Sequence, residues 1–395
     1  MSISNIPQKV PLKTICYEFI KIGSIGFGGG LAIIGIIHDS FVERKKIISE
    51  EEFLSGTAIS QFIGAFAVNT AYFVGRKARS ITGGILAVIS FLSPSLITVI
   101  LLSVAYTHYK RDFQAKYILE SIIPVIISIL LITSYKFLRN YKNKLLTSIP
   151  TAILLIPIVI LTDSYITSIF AGGITYSFLN STITKYKLSD TSSKGLRIST
   201  SPLLTFLLPF CSERLHSWLT TPSILKLSFL SLGIGTIFFG GGYALIPLLQ
   251  QIMVEKLHWI SNEDFFLGMA ISQITPGPLA IIITFLGFHL FGIPGALIST
   301  VLIFTPSIII MELLIKFYEK AQKQYWLRNF IEGVSLTVGF LILHLCAELS
   351  NEFLMPLSVF KVTSFILSLT LLLLRIPPFF VILGSLLLGI FTNYF

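Results

Sequence analysis

The chain repeats itself. Shifted by 212 residues, Phe19–Tyr106 aligns with Ser231–Tyr318 without a gap, and 30 of the 88 pairs are identical. Phe27-Gly28-Gly29-Gly30 falls on Phe239-Gly240-Gly241-Gly242, Ala58-Ile59-Ser60-Gln61 on Ala270-Ile271-Ser272-Gln273, and Pro94-Ser95 on Pro306-Ser307. Apolar bias yields chance matches among Leu and Ile, but not a register of Gly, Gln, Pro and Glu. Two homologous units must therefore adopt one architecture twice and pack against each other.

Their solvent follows from composition. Hydrophobic residues make up 53% of the 395 and charged residues only 12%, about half the roughly 25% of a soluble domain. That excludes a water-soluble fold, a disordered chain and a secreted disulfide scaffold, and leaves an all-α polytopic membrane protein with the lipid bilayer as a partner. The net charge of +10 sits in short clusters between apolar runs, as cytoplasmic loops do, so no nucleic acid is expected. Cys16, Cys211 and Cys346 form neither a CxxC nor an even set, and the N-terminus lacks the features of a removable signal peptide.

Each unit reads in one order: a long apolar segment broken by glycines (about 14–42 and 226–254), a second broken near its middle (about 52–76 and 264–288), an unbroken helix, another helix, and a closing stretch punctuated by Asp163 or by Arg375-Ile376-Pro377-Pro378. The boundaries expected are 1–182 for the first membrane repeat, 183–223 for a polar linker with a short amphipathic segment, and 224–395 for the second repeat. Arg44-Lys45-Lys46, Arg76-Lys77-Arg79 and Lys136/Arg139/Lys142/Lys144 are basic, whereas the second unit is acidic or neutral at those places and basic instead at Lys316/Lys320/Lys323/Arg328. That reversal predicts inverted repeats. Inversion calls for an odd number of crossings, and five result if the second broken segment enters and returns on one side. Lys110-Arg111-Lys116 runs against this scheme.

Three glycines in mid-span cost about 1 kcal/mol each against alanine in a helix. They mark either close helix packing or an unwound turn from which a new helix aims its free N–H groups into the membrane, an anion site made of backbone. Gln273-Ile274-Thr275-Pro276-Gly277-Pro278 cannot continue a helix, and is either a simple kink or a second such break. The first unit keeps Gln61 there but no prolines, with Asn69 close by. Lys21 either attracts an anion, or snorkels to the surface or pairs with Glu18. Glu120 and Glu332 are repeat-paired candidates for ion coupling or interfacial salt bridges, Glu43 and Glu255 read as segment-end partners of basic neighbours, and Glu312 is a candidate for the same cavity. No metal-ligand spacing, nucleotide loop or nucleophile set is present, so neither a metal, a cofactor nor an enzymatic activity is expected.

With their spacing and duplication, the FGGG and QxTPGP motifs resemble the chromate ion transporter family in its two-domain, long-chain form. The resemblance covers roughly 14–137 and 226–347 and is stronger in the second unit, where Trp259, Phe265, Phe285, Gly287 and Gly295 join the motifs; the first unit has Ile47 in place of Trp259 and no Pro-Gly-Pro. It implies a multi-pass secondary transporter of the plasma membrane that moves chromate, usually outward, with sulfate as its mimic. The substrate contacts expected on this reading are Gly28, Gly29, Gly30, Gln61, Asn69, Gly240, Gly241, Gly242, Gln273, Thr275, Pro276, Gly277 and Pro278, with Lys21 as an accessory charge. A homo-oligomer is compatible with it. An anion channel, a transporter of another small anion, a membrane-embedded enzyme and a scaffold subunit remain alternatives.

Overall fold

The structure, a computed structural model, describes residues 10–27, 30–63, 65–109, 115–139, 141, 145–162, 165–187, 221–237, 242–322, 325–353 and 358–394. Its described residues form fifteen α-helices and no strand. The first repeat contains α1 (Leu12–Ile25), α2 (Gly30–His38, extended by a π-helical Asp39–Arg44), α3 (Glu50–Phe62), α4 (Phe66–Ala78), α5 (Ile81–Tyr109), α6 (Ala115–Arg139), α7 (Leu145–Thr162) and α8 (Tyr165–Lys187). The second contains α9 (Ile224–Ile237), a 3₁₀ turn Gly242–Ala244 leading into α10 (Leu245–Leu249) and a π-helical Gln250–Lys256, then α11 (Asn262–Ile274), a 3₁₀ turn Leu279–Ile281 leading into α12 (Ile282–Gln322), α13 (Tyr325–Phe353), α14 (Val359–Leu373) and α15 (Pro378–Tyr394).

The duplication survives in detail. Helices α1 and α9, like α3 and α11, begin and end 212 residues apart. Ser49 and Ser261 cap α3 and α11 by accepting from the N–H of Glu52 (3.2 Å) and Asp264 (3.1 Å), satisfying a donor that the first helical turn leaves open. Helix α12 corresponds to α4 and α5 together, and its non-helical Phe291 and Gly292 (φ +61°) stand where the first repeat turns from α4 to α5. Gly75 backs onto Gly83 and Gly287 onto Gly295 so closely that a Cβ would overlap the facing carbonyl oxygen, the close approach that small residues allow between membrane helices.

Both broken segments of the first repeat double back. In the first, Phe19 stacks on Phe41 with ring centroids 5.0 Å apart, and Glu18 takes a hydrogen bond from Ser40 (2.8 Å) and pairs with Lys45 (2.9 Å). Twenty-two residues of continuous helix would hold such partners about 33 Å apart. In the second, Lys77 at the end of α4 meets Glu52 at the start of α3 at 2.9 Å. Its counterpart in the second repeat closes in the same way, with His289 3.7 Å from Asp264. The sequence argument expected a return in the second broken segment only, and so five crossings. The glycine break reverses the chain as well, as the approach of Phe19 to Phe41 shows, so the count of five does not hold.

The repeats are nevertheless inverted, because they are rooted at opposite ends of the bundle. Arg76, in the last turn of α4, meets Glu312 late in α12, and Tyr106, late in α5, meets Asp264 in the first turn of α11. Each repeat's second hairpin therefore springs from the end where the other's long helix finishes. Helix α13 runs antiparallel to α6 (Ser134 to Gly339 O, 2.7 Å; Cys346 against Ile127 O) and to α8 (Asn180 to Asn329, 3.0 Å; Tyr165 against His344). The end rooting the first repeat carries Arg44, Lys45, Lys46, Lys77 and Arg79, and is called the basic end below.

This is a membrane protein. Residues 81–108, 279–315 and 332–351 are helices long and apolar enough to cross a bilayer. Large apolar side chains such as Ile89, Ile97 and Leu101 on α5, and Val301 and Ile309 on α12, face outward. The helices pack through a shared core in which Phe19, Phe41, Phe91, Phe265, Phe285 and Phe304 are buried. Asp163, Lys110-Arg111 and nearly all of the expected 183–223 linker lie outside the described residues.

Candidate functional site

Four half-helices start at the centre of the bundle. Helix α2 begins at Gly30 and α4 at Phe66, and in the second repeat the helical path restarts at Gly242 and at Leu279. The tips preceding them are held in place. The Gly277 N–H donates to the Gly26 carbonyl oxygen at 3.0 Å, joining the repeats tip to tip, and Gly277 holds φ +126°, open to glycine and strained for other residues. Thr275 closes α11 through its N–H to Ile271 O (3.0 Å) and its hydroxyl to Ser272 O (3.2 Å). In the first repeat the buried Asn69 does this work, its Nδ2 reaching the Ile63 carbonyl at 2.5 Å.

A small cavity lies between these starts. Gly30, Ala65, Phe66 and Ala67 line it from the first repeat, and Gly242, Tyr243, Pro278, Leu279, Ala280 and Phe304 from the second. Several lining residues are repeat partners: Gly30 with Gly242, Phe66 with Pro278, Ala67 with Leu279. None of the ten carries a formal charge. The first turn of a helix leaves four amides without intrahelical partners and carries about half a positive charge. Four such starts around one uncharged space can hold an anion by backbone alone.

Against this geometry stands the comparison with known proteins. The family profile described as chromate transporter matches residues 13–177 and again 225–390. The chain belongs to the chromate transporter family. An uncharacterized transporter of Methanocaldococcus jannaschii is 29% identical over 95% of this chain and 93% of its own length. The chromate transport protein of Cupriavidus metallidurans is 26% identical over 82% and 79%, and a probable chromate transport protein of Synechococcus elongatus 25% over 91% and 90%. No solved structure matches. The two stretches that the chromate transporter profile matches coincide with the two repeats.

Within this chromate transporter chain the residues singled out from sequence divide into three groups. Gly30, Gly242 and Pro278 line the cavity. Gln273, Thr275, Pro276, Gly277 and Asn69 stand behind it, shaping the tips, and Gln273 Nε2 reaches the Tyr243 hydroxyl at 3.4 Å. Gly28, Gly29, Gly240 and Gly241 lie outside the described residues, and of Gln61 and Glu120 only the helical backbone is described. Lys21 is exposed on α1 and is not among the lining residues; Glu18 takes Lys45 as its partner instead. Glu332 is placed between α8 and the 141 turn, its carboxylate accepting from Tyr176 (3.1 Å) and its carbonyl from Tyr141 (2.7 Å). Sequence reasoning passed over Phe66, Tyr243 and Phe304. Phe66 was legible from its alignment with Pro278, whereas Phe304 has no local signal.

Glu312 is a clasp between the repeats rather than a lining group. It accepts from Tyr72 (2.9 Å) and Arg76 (3.1 Å), with its side chain 17% exposed and that of Arg76 32%. Breaking a fully buried pair costs about 3–5 kcal/mol, and this exposure discounts the figure. Arg76→Met is expected to cost about 1–3 kcal/mol, and Glu312→Gln added to it to recover most of the loss. Thermal melts of the purified variants check this, and a double variant no more stable than Arg76→Met would contradict it.

Proposed function

We propose that this protein is a multi-pass secondary transporter of the plasma membrane that carries tetrahedral inorganic oxyanions of the chromate and sulfate class, outward, through the central cavity. One observation carries the reading: four helix starts, two from each inverted repeat, converge on a cavity with no charged lining residue. Four partial charges of about +0.5 each match a dianion in sum, yet leave no point charge to trap it. The substrate contacts proposed are the two glycine turns (Gly28, Gly29, Gly30 and Gly240, Gly241, Gly242), Gln61 and Pro278, with Gln273, Thr275, Pro276, Gly277 and Asn69 holding the tips that shape the cavity. The basic end faces the cytoplasm under the positive-inside rule. A membrane potential negative inside drives a dianion outward with about 2.3 kcal/mol per charge per 100 mV, which supports export. The relatives named as chromate transport proteins support the substrate class.

The test is uptake of labelled chromate and sulfate into proteoliposomes holding the purified protein, with and without oxyanion inside. Saturable uptake accelerated by internal oxyanion is the expected result. Flux that neither saturates nor responds to internal anion would mean a channel, and folded protein with no oxyanion flux would overturn the substrate class.

A further inference from the structure

The wall of the central cavity is one-sided in its hydrogen bonding. A helix start turns its open N–H groups to the space ahead of it and its carbonyls back along its own axis. The lining carbonyls follow that rule in both repeats. Ala65 O accepts a backbone N–H of its own helix at 2.8 Å, and Pro278 O another at 3.0 Å. Hydroxyls one turn on, those of Thr70 and Ser307, donate to Phe66 O and Phe304 O, each at 2.9 Å. Nine of the ten lining residues have hydrocarbon side chains or none. The tenth is Tyr243, whose oxygen takes a hydrogen bond from Gln273 Nε2 at 3.4 Å and faces the Thr133 hydroxyl of α6. The buried Asn69 amide oxygen has no partner, but Asn69 is not among the lining residues. Among the described residues, the cavity offers donors and no open acceptor.

Tetrahedral oxyanions differ in a respect that neither shape nor charge reveals. At pH 8 sulfate, selenate and chromate carry four oxygens that only accept. Hydrogen phosphate and hydrogen arsenate have the same charge and outline, but each keeps one O–H that must donate. Water accepts that proton in solution, whereas a wall of N–H groups does not. A buried hydroxyl left without an acceptor weakens binding about 10- to 100-fold. Leaving a polar group of the wrong ligand unpaired is a general route to specificity.

We propose that the cavity selects oxyanions that carry no proton, and rejects hydrogen phosphate and hydrogen arsenate because its wall has no acceptor for their O–H. The inference rests on the oxyanion-transport reading and narrows it: a tetrahedral dianion is admitted only when every one of its outer atoms can accept. The selection is made by what the helix starts withhold, their carbonyls, as much as by the amides they present.

The test is uptake of labelled chromate by the purified full chain in proteoliposomes at pH 8, with unlabelled anions competing from outside. Hydrogen phosphate is expected to compete about 10- to 100-fold more weakly than sulfate, and hydrogen arsenate more weakly than selenate by a like factor. Monofluorophosphate decides the cause, because fluorine replaces the O–H of hydrogen phosphate at the same charge and shape. It should compete like sulfate. Hydrogen phosphate competing as well as sulfate overturns the proposal, and so does monofluorophosphate competing as weakly as hydrogen phosphate. Either result with chromate uptake intact removes this inference alone. Folded protein with no chromate uptake removes the transport reading, and this inference with it.

Discussion

Gly277→Ala is expected to cost about 2–5 kcal/mol of stability and to abolish oxyanion flux. Two separate penalties add. The backbone at Gly277 holds φ +126°, which strains a residue with a Cβ, and that Cβ would lie 2.6 Å from Ser95 Oγ and 2.9 Å from Ser95 Cβ. Ser95 is fully buried on α5 and cannot swing away. Moving the tip also breaks the hydrogen bond from Gly277 to Gly26, which joins the repeats. Adding Ser95→Gly separates the penalties, because it removes the overlap and leaves the backbone strain. Detergent melting curves should rank native above the double variant and the double variant above Gly277→Ala. A Gly277→Ala protein that melts and transports like the native one would mean that the tip contact does not hold the repeats.

Filling the cavity is the second large effect. At Gly30 an added Cβ meets only the Phe66 ring, at 3.6 Å, so Gly30→Ala fits and gains about 0.5–1 kcal/mol from helix stiffening. Gly30→Leu extends into the cavity from the same atom. At Gly242 the nearest neighbour, Leu279 Cβ, is already at 3.2 Å, so Gly242→Leu crowds the facing helix start as well. Flux through either leucine variant is expected to fall by at least about 100-fold, since displacing a bound group by an ångström is enough for that loss. Melting curves near native would accompany it for Gly30→Leu. A Gly30→Leu protein with native flux would place the pathway elsewhere.

The architecture was legible because the sequence states it twice. A gapless register of Gly, Gln and Pro identified the two repeats and their breaks before any contact was known. The reversal of basic loops gave the inverted placement. What misled was parity. A glycine break between two apolar halves reads equally as an interrupted span or a full reversal, and only tertiary contacts such as Phe19 on Phe41 decide between them. The site was legible where chemistry is carried by backbone, at Gly30, Gly242 and Pro278. It was illegible where the contact is apolar and distant, as at Phe304. Lys21, Glu332 and Glu312 drew notice as charges in apolar segments. The structure places Lys21 on an exposed face and gives the two glutamates partners on other helices, which sequence spacing does not reveal.

Hairpins rooted at one end, with their tips meeting at the centre, are levers, and their fulcra are the two ends of the bundle. Helix α11 has 13 residues and so an arm of about 20 Å. A tilt of about 5° at the root sweeps the tip through about 1.7 Å on such an arm, enough to part Gly277 from Gly26. A small rotation set by a few polar groups at the rim thus becomes a displacement the size of a hydrogen bond at the centre, with no sliding of the long helices between them.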